Sequence, residues 1–494
     1  MNRAHGSRIV AGIDSSTQST KVVLCEADDG TVVGRGSAPH PVGTEADPAA
    51  WWAALQRAGD GLLDRAAAVG VAGQQHGMVV LDEDGEVIRP ALLWNDVRSA
   101  PAAAELVSEL GGPRWWASET GSVPTFSFTV TKLRWLAEHE PGNASRATAV
   151  LLPHDWLTWR LLGGMGERSR AAGQPGLGER TGPGRETPMV TDRGDASGTG
   201  YFSPAKGTWL PDLVKTAVGR TLRLPRVASP GEVVGQTARG AMVSAGTGDN
   251  MGAALGLGLR PGDVAVSIGT SGTAFAVSEV PADDPSGAVA GFADATGRFL
   301  PLVCTINAGQ VLSATASLLG TDLDGLSELA LAAEPGAGGI TLLPYLDGER
   351  TPDRPGASGV LRGLTTRNAT RENLARAAVE ALLASLADAA DRLAAGDNQP
   401  TRRVLLIGGG ARSAAVRQLA PGIFFSPVLV PEPEEYVALG AARQAAWALA
   451  GTPEPPPWPS RATETYTGPE QPQIRERHAA LRDDTATWDE RTGS

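Results

Sequence analysis

Short apolar runs that break off in glycine- and hydroxyl-rich turns recur along the chain, and they predict strands ending in open tips. Arg8–Ile13 is the first such run; Asp14–Thr20 then reads DSSTQST, and Lys21–Cys25 resumes as KVVLC. Strand, turn and strand make a hairpin whose tip offers backbone N–H groups and hydroxyls, the donors that phosphate oxygens accept from, with Asp14 placed to share a cation. The pattern returns at Val264–Ser278, VAVSIGTSGTAFAVS, where Ile268 to Thr273 echo Ile13 to Thr17. A repeat spaced by about half the chain predicts two related domains, each presenting one turn to a shared ligand.

Between the repeats, Val69–Asp82 reads VGVAGQQHGMVVLD, a buried-looking strand, the polar tip Gln74-Gln75-His76-Gly77 and a second apolar strand. Uncharged amides and an imidazole crowded on one tip suit a polyhydroxy compound, because they donate and accept without charge. Leu92–Arg98, LLWNDVR, reads in two ways. Trp94 is core with Asp96 and Arg98 paired at a turn, or Trp94 stacks on a sugar while Asn95 or Asp96 reads its hydroxyls. Pro113–His139 and Leu151–Leu162 have helical patterning, with Trp115, Trp116, Trp135, Trp156 and Trp159 as packing residues.

Val243–Leu259, VSAGTGDNMGAALGLGL, carries Asp249 and Asn250 after a Gly-Thr-Gly turn and before an Ala-rich run. Asp249 is either a helix N-cap or a carboxylate that takes a proton from a substrate hydroxyl. Further on, Ile340–Leu364 is a strand running into a charged loop in which Glu349 and Arg350 would pair, and Asn373–Ala395 is an amphipathic helix. Arg403–Ala420, RVLLIGGGARSAAVRQLA, reads as strand, triple glycine and helix, a platform for a flat ring or ribose beside a helix N-terminus. GGGAR lacks the G-x-G-x-x-G spacing of a dinucleotide fingerprint, and the chain's lysines, Lys21, Lys132, Lys206 and Lys215, stand in no G-x-x-x-x-G-K-[ST] run, which excludes a P-loop enzyme.

Composition narrows the classes. A chain of 494 residues with 41% hydrophobic residues predicts a globular protein of two large domains. A formal charge of -12 argues against a nucleic-acid partner. Cys25 and Cys304 cannot form a disulfide framework, Met1–Arg8 lacks the apolar core of a signal peptide, and no apolar run has membrane-spanning length, so a cytoplasmic setting is expected. Gly163–Val190 is rich in Gly, Arg and Pro and predicts a mobile surface insertion. The Pro-rich stretch beyond Ala450 and its polar sequel predict one short helix at most.

In order, GIDSSTQSTKVV at Gly12–Val23, GVAGQQHG at Gly70–Gly77, LLWNDVR, GDASGTGYFSP, GDNMGAALG, SIGTSGTAFAVS, LLPYLDGERTP and LIGGGARS resemble the actin-like sugar kinases of the FGGY family, most closely its xylulose-phosphorylating members. The resemblance implies an α/β fold of two ribonuclease H-like (actin-like ATPase) domains with a cleft between them. It implies a sugar-binding domain over 1–245, a nucleotide-binding domain over 246–450 and a tail over 451–494. Asp249 would be the general base on the 5-hydroxyl of D-xylulose; Gln75, His76 and Asn250 would hold the ketose. Asp14, with Asp249, would place Mg2+. Thr17, Lys21, Thr270 and Ser271 would lie along the phosphates of ATP, and Gly409, Gly410 and Ala411 would face its adenosine. A homodimer would be compatible with this, with no membrane or nucleic acid involved. Alternatives are a kinase of the same scaffold for ribulose, gluconate or glycerol, and, from another class, an actin-like ATPase that switches a protein partner. The position of Gln75 is often methionine in the xylulose-phosphorylating members.

Overall fold

Ile9–Ser15 and Ser19–Glu26 pair antiparallel, with Asp14 opposite Lys21, so the first predicted hairpin forms. Ser19–Glu26 also pairs with Val32–Pro39. On its other side Ile9–Ser15 runs parallel to Ala68–Gly73, all six residues of which are buried, and Met242–Ser244 runs parallel beyond that. A continuous apolar run is what a central parallel strand, covered on both faces, requires. This computed structural model describes residues 8–164, 187–397 and 400–488. It divides into two units, Met1–Gly258 with Glu279–Leu300 and Glu435–Ser460, and Leu259–Ser278 with Pro301–Glu434 and Arg461–Ser494.

The second unit repeats the arrangement. Asp263–Ile268 pairs antiparallel with Gly272–Ala276 and parallel with Arg403–Ile407, which in turn runs parallel to Val428–Pro431. Gly272–Ala276 pairs antiparallel with Phe299–Thr305, as the second strand of the first unit pairs with the third. The internal repeat read from the hairpin tips is therefore a repeat of sheet topology, the ribonuclease H-like order in each unit.

The units part after Gly258, not between residues 245 and 246, and the Tyr436–Ala450 helix belongs with the first unit. Small residues decide this. A Cβ on Gly12 would lie 1.8 Å from the Ala438 carbonyl oxygen, and one on Gly70 2.3 Å from that of Ala441. The Asp249–Leu257 helix meets the same helix backbone to backbone, since a Cβ on Gly440 would lie 1.8 Å from Gly252 O. Any larger side chain at these positions would force the elements apart.

The tail also differs from expectation. Trp458 donates its indole N–H to Ala27 O (2.9 Å) within the first unit. Thr463–Tyr466 pairs antiparallel with Val428–Pro431 of the second unit, and Pro472–Asp484 is a helix there whose Arg475 and Arg482 bond Asp388 at 3.0 and 2.6 Å. Of the expected packing residues, Trp116, Trp156 and Trp159 are buried, whereas Trp135 is partly exposed beneath the guanidinium groups of Arg89 and Arg98. Most of the insertion expected at Gly163–Val190 lies outside the described residues. No helix among the described residues is long and apolar enough to cross a membrane.

Candidate active site

Ile9–Ser15, Ala68–Gly73 and Thr247–Gly248 lie side by side and parallel, with Asp14 and Thr247 level with Ala72 on either side. The segments that leave them, at Ser16, Gln74 and Asp249, therefore depart from one edge of the sheet, the carboxyl edge at which open α/β sheets collect ligand groups.

Asp14 is 3% exposed and takes a hydrogen bond from the Ser16 hydroxyl. Burial pushes its carboxyl up to about 6, against the opposing pull of the Ser16 bond and the Lys21 charge. Asp249 is the first residue of its helix, and its Oδ1 accepts from the Asn250 N–H (2.8 Å) and the Asn250 side-chain amide (2.9 Å). Gly248, not Asp249, occupies the N-cap position, so the carboxylate is not consumed as a cap. Burial, and then the negative charge of Asp14, push Asp249 up to about 7. That value is matched to proton abstraction near neutral pH, and two neighbouring carboxylates in a partly dry site favour a hard cation.

The amide tip reaches the same place. Asn250 Nδ2 donates to Gln75 Oε1 at 3.1 Å, joining tip and carboxylate. His76 is held in a left-handed backbone conformation (φ 68°), its Nδ1 2.6 Å from Gly198 O and its ring against Phe128 and Phe292. Gln74 Oε1 accepts from the Thr17 hydroxyl (3.3 Å), and Thr17 Oγ1 accepts from the Trp94 indole N–H (2.9 Å). Trp94 is thus not core: it is 39% exposed, and its indole N–H props the first hairpin tip. Asp96 is spent on the Thr44 hydroxyl (2.7 Å) and on Arg98 (2.7 Å). Buried polar atoms almost always find partners. Among the described residues Gln74 Nε2, Gln75 Nε2 and Asn95 Oδ1 are buried with none, two donors and an acceptor of the kind a sugar's hydroxyls and carbonyl would satisfy.

Lys21 lies beside Asp14 and forms an ion pair with Glu435 at 2.6 Å, a partner 414 residues away that no local pattern announces. In the second unit, Thr270 and Ser271 form the exposed tip of the repeated hairpin. Its base is fixed by a bond from Gly309 N to Gly269 O (2.8 Å), a close approach that only glycine permits, since a Cβ on Gly309 would lie 2.4 Å from that oxygen. Gly409 faces open space, whereas a Cβ on Gly410 would meet Ile268. Ala411 has its side chain buried, and its carbonyl accepts from Arg417 Nε (2.6 Å). The expected Glu349–Arg350 ion pair gives way to another arrangement: Glu349 accepts from the backbone N–H groups of Ile306 (2.6 Å) and Arg350 (2.8 Å) and from the Asn307 amide (3.0 Å).

Sequence reasoning passed over His154, Asp155, Asp192 and Asp195, which form a buried polar cluster in the first unit. The signal for Asp192 was available: an Asp before the small residues of RGDASG is an N-cap, and its side chain accepts from the N–H groups of Gly194 and Asp195.

Residues 9–257 match the N-terminal domain of the FGGY family of carbohydrate kinases, and residues 264–449 match its C-terminal domain. The chain is 49% identical over 470 residues to the xylulose kinase of Streptomyces coelicolor, covering 91% of this chain and 90% of that one. It is 46% identical over 485 residues to the xylulose kinase of Streptomyces rubiginosus, covering 95% and 93%. Its fold matches the crystal structure of xylulose kinase from Bifidobacterium adolescentis with a TM-score of 0.88 at 44% identity, over 96% of this chain and 99% of the other. With both domains matched and the carboxylate pair at the sheet edge, the chain belongs to the FGGY family of carbohydrate kinases.

Proposed function

We propose that the protein transfers the terminal phosphoryl group of ATP to the 5-hydroxyl of D-xylulose, with Asp249 as general base. The observation that carries this is the pair Asp14 and Asp249 at the ends of strands flanking one buried strand, with Asp249 pushed up to about 7. A base near neutrality accepts the hydroxyl proton as the new P–O bond forms, and does so without holding it too tightly to release afterwards. The names of the two Streptomyces relatives support xylulose as the acceptor.

Gln75 Nε2 and Gln74 Nε2 supply donors, Asn95 Oδ1 an acceptor, and His76 a wall of fixed orientation, so the ketose is held by groups that have no partner among the described residues to give up, His76 apart. Asp14, with Asp249, would hold Mg2+, which when bound neutralises charge on phosphate oxygens. Thr17, Lys21, Thr270 and Ser271 line the phosphates in this reading, and the Gly409–Ala411 turn takes the adenosine. For Ala411 the contribution is main chain, its methyl being buried. Lys21 would exchange its bond with Glu435 for phosphate oxygens. A reducing cytoplasm and a homodimer belong to the same reading, the latter to be checked by light scattering.

The test is ADP release with D-xylulose, D-ribulose, L-xylulose, gluconate and glycerol in turn, and without sugar. D-xylulose should give the highest kcat/KM, and turnover without sugar should be small. A preference for another polyol would redirect the substrate assignment, and sugar-independent turnover would sink the kinase reading. Asp249→Asn should lower kcat by about 10²- to 10⁴-fold while sugar binding stays measurable.

A further inference from the structure

Among the described residues His154 has no hydrogen bond to those placed at the site, yet it joins the helix of Asp195 to the turn that leads to Asp249. It is the second residue of the Pro153–Leu161 helix and is fully buried. Its Nδ1 lies 3.0 Å from Asp195 Oδ2 and 3.1 Å from Asp155 Oδ1, and its Nε2 lies 3.0 Å from Ala245 O. A carbonyl oxygen can only accept, so Nε2 carries a hydrogen. Nδ1 then faces two carboxylate oxygens, Asp195 Oδ2 in a hydrogen bond and Asp155 Oδ1 in a charge contact alone; a second proton on the ring turns repulsion into a charge-assisted bond to Asp195 and an attraction to Asp155. Burial opposes the charged ring, but the bonds and charges of Asp155 and Asp195 outweigh it and hold the imidazole well above its ordinary value. The buried Asp192 carboxyl and Tyr201 hydroxyl are the other titratable groups that feel this cluster.

The ring has no room to move. Gly246 adopts φ 77°, and a Cβ there would lie 2.3 Å from His154 Nε2; a Cβ on Gly73 would lie 3.0 Å from His154 N. His154 is thus wedged, its backbone and Cβ against the end of the Ala68–Gly73 strand and its ring against the Ala245–Gly246 turn. A second route reaches the same turn, since Asp192, which caps the helix bearing Asp195, also accepts from the Thr247 hydroxyl at 3.2 Å. Gln444 Nε2 closes the arrangement on Gly246 O at 2.9 Å. The next residues along the chain are Gly248 and Asp249.

We propose that His154 is a positioning residue for phosphoryl transfer: held as a cation between Asp155 and Asp195, it fixes the Ala245–Gly246 turn and thereby the placement of Asp249 at the strand ends. The inference rests on the reading of Asp249 as general base. Because the imidazolium acts through the turn and not on either substrate, its loss should appear in kcat and leave KM nearly unchanged.

The test compares the full-length wild type with His154→Gln, His154→Lys, Asp249→Asn and the double variant His154→Gln/Asp249→Asn, by kcat and KM for both substrates and by thermal melting. Glutamine can still donate to Ala245 O but sets a carbonyl oxygen or a neutral amide against the carboxylates; lysine keeps a cation and its donors. His154→Gln should lower kcat by up to about 10²-fold, the loss expected from a displacement of about 1 Å at a reacting group, with each KM within about threefold. His154→Lys should recover most of it. In the Asp249→Asn background His154→Gln should cost little more, as groups that act as one unit are not additive. Undiminished kcat in a folded His154→Gln protein, a loss confined to KM, or full additivity in the double variant would each overturn the inference. Should His154→Gln not fold, Asp195→Asn, which keeps the shape and removes one counter-charge, should show the same kcat-only loss, and its absence counts equally against. If Asp249→Asn keeps activity, the general-base reading falls and this inference with it; if Asp249→Asn is inactive and His154→Gln is not, only this inference falls. One equivalent of tightly bound zinc in the purified protein would also overturn it, since a metal at Nδ1 would replace the proton.

Discussion

Replacing Asp249 by asparagine should stabilise the ligand-free protein at neutral pH while removing its activity. The carboxyl is pushed from 3.8 to about 7 by burial and by Asp14. A carboxyl whose folded-state pKa lies above its unfolded value holds its proton more tightly when folded, so its ionisation takes stability away as the pH rises through that interval and takes the full amount above about 7. At about 1.36 kcal/mol per pH unit, the displacement from 3.8 to about 7 corresponds to roughly 4 kcal/mol as an upper bound. The side chain is only partly buried, and solvent screening reduces the effect to about 1–2 kcal/mol. Asparagine keeps the oxygen that accepts from Asn250 and never ionises. Unfolding midpoints of wild type and Asp249→Asn, measured without nucleotide or divalent cation, should therefore coincide near about pH 4 and separate in favour of the variant by about pH 7.5. A variant less stable at pH about 7.5, or a gap of the same size at both ends, would show that the carboxylate is not held at a cost and would remove the basis for its elevated proton affinity. The expected combination, more stable and less active, is what a functional group kept in unfavourable surroundings produces.

Substitutions at two positions and a truncation probe the frame. Gly246→Ala sets a Cβ 2.3 Å from His154 Nε2 at φ 77°, and should cost about 2–4 kcal/mol in chemical unfolding and reduce kcat in whatever protein folds. Glu349→Ala removes a carboxylate that is 1% exposed and accepts from Ile306, Arg350 and Asn307, leaving buried N–H groups unpaired; about 2–4 kcal/mol should be lost, and Glu349→Gln should restore part of it. Truncation after Ser460 strips the Thr463–Tyr466 strand from Val428–Pro431 and takes away the helix whose arginines hold Asp388, so the shortened chain should melt at a clearly lower temperature or fail to remain in solution, and an unchanged melting curve would refute the structural role of the tail.

What was legible in the sequence follows from where each interaction is written. The hairpins, the repeat and the amide tip could be read because each is a local contrast, an apolar run stopping at glycine and hydroxyl residues. The atoms left unpaired at the tip, Gln75 Nε2 above all, belong to residues whose polarity stood out against an otherwise buried strand. Asp249 stood between a cap and a base on local evidence; the structure gives the cap position to Gly248, and the base is the reading that Asp249→Asn tests. That the compact units do not follow a single cut along the chain was hidden for the opposite reason. The Ala-rich periodicity of Tyr436–Ala450 announces a helix with a small-residue face, but not that Gly12 and Gly70 of the first sheet are the surface that face fits. Likewise the alternation in Thr463–Tyr466 is too short to register as a strand until its partner is known. His154 was hidden most thoroughly, because its partners come from three separate stretches and every polar atom of its ring is answered. A side chain that waits for a ligand stays visible as an oddity in its own segment, whereas one that has already found its partners merges with the core, and so the residues that hold a catalytic group in place are the ones a sequence conceals.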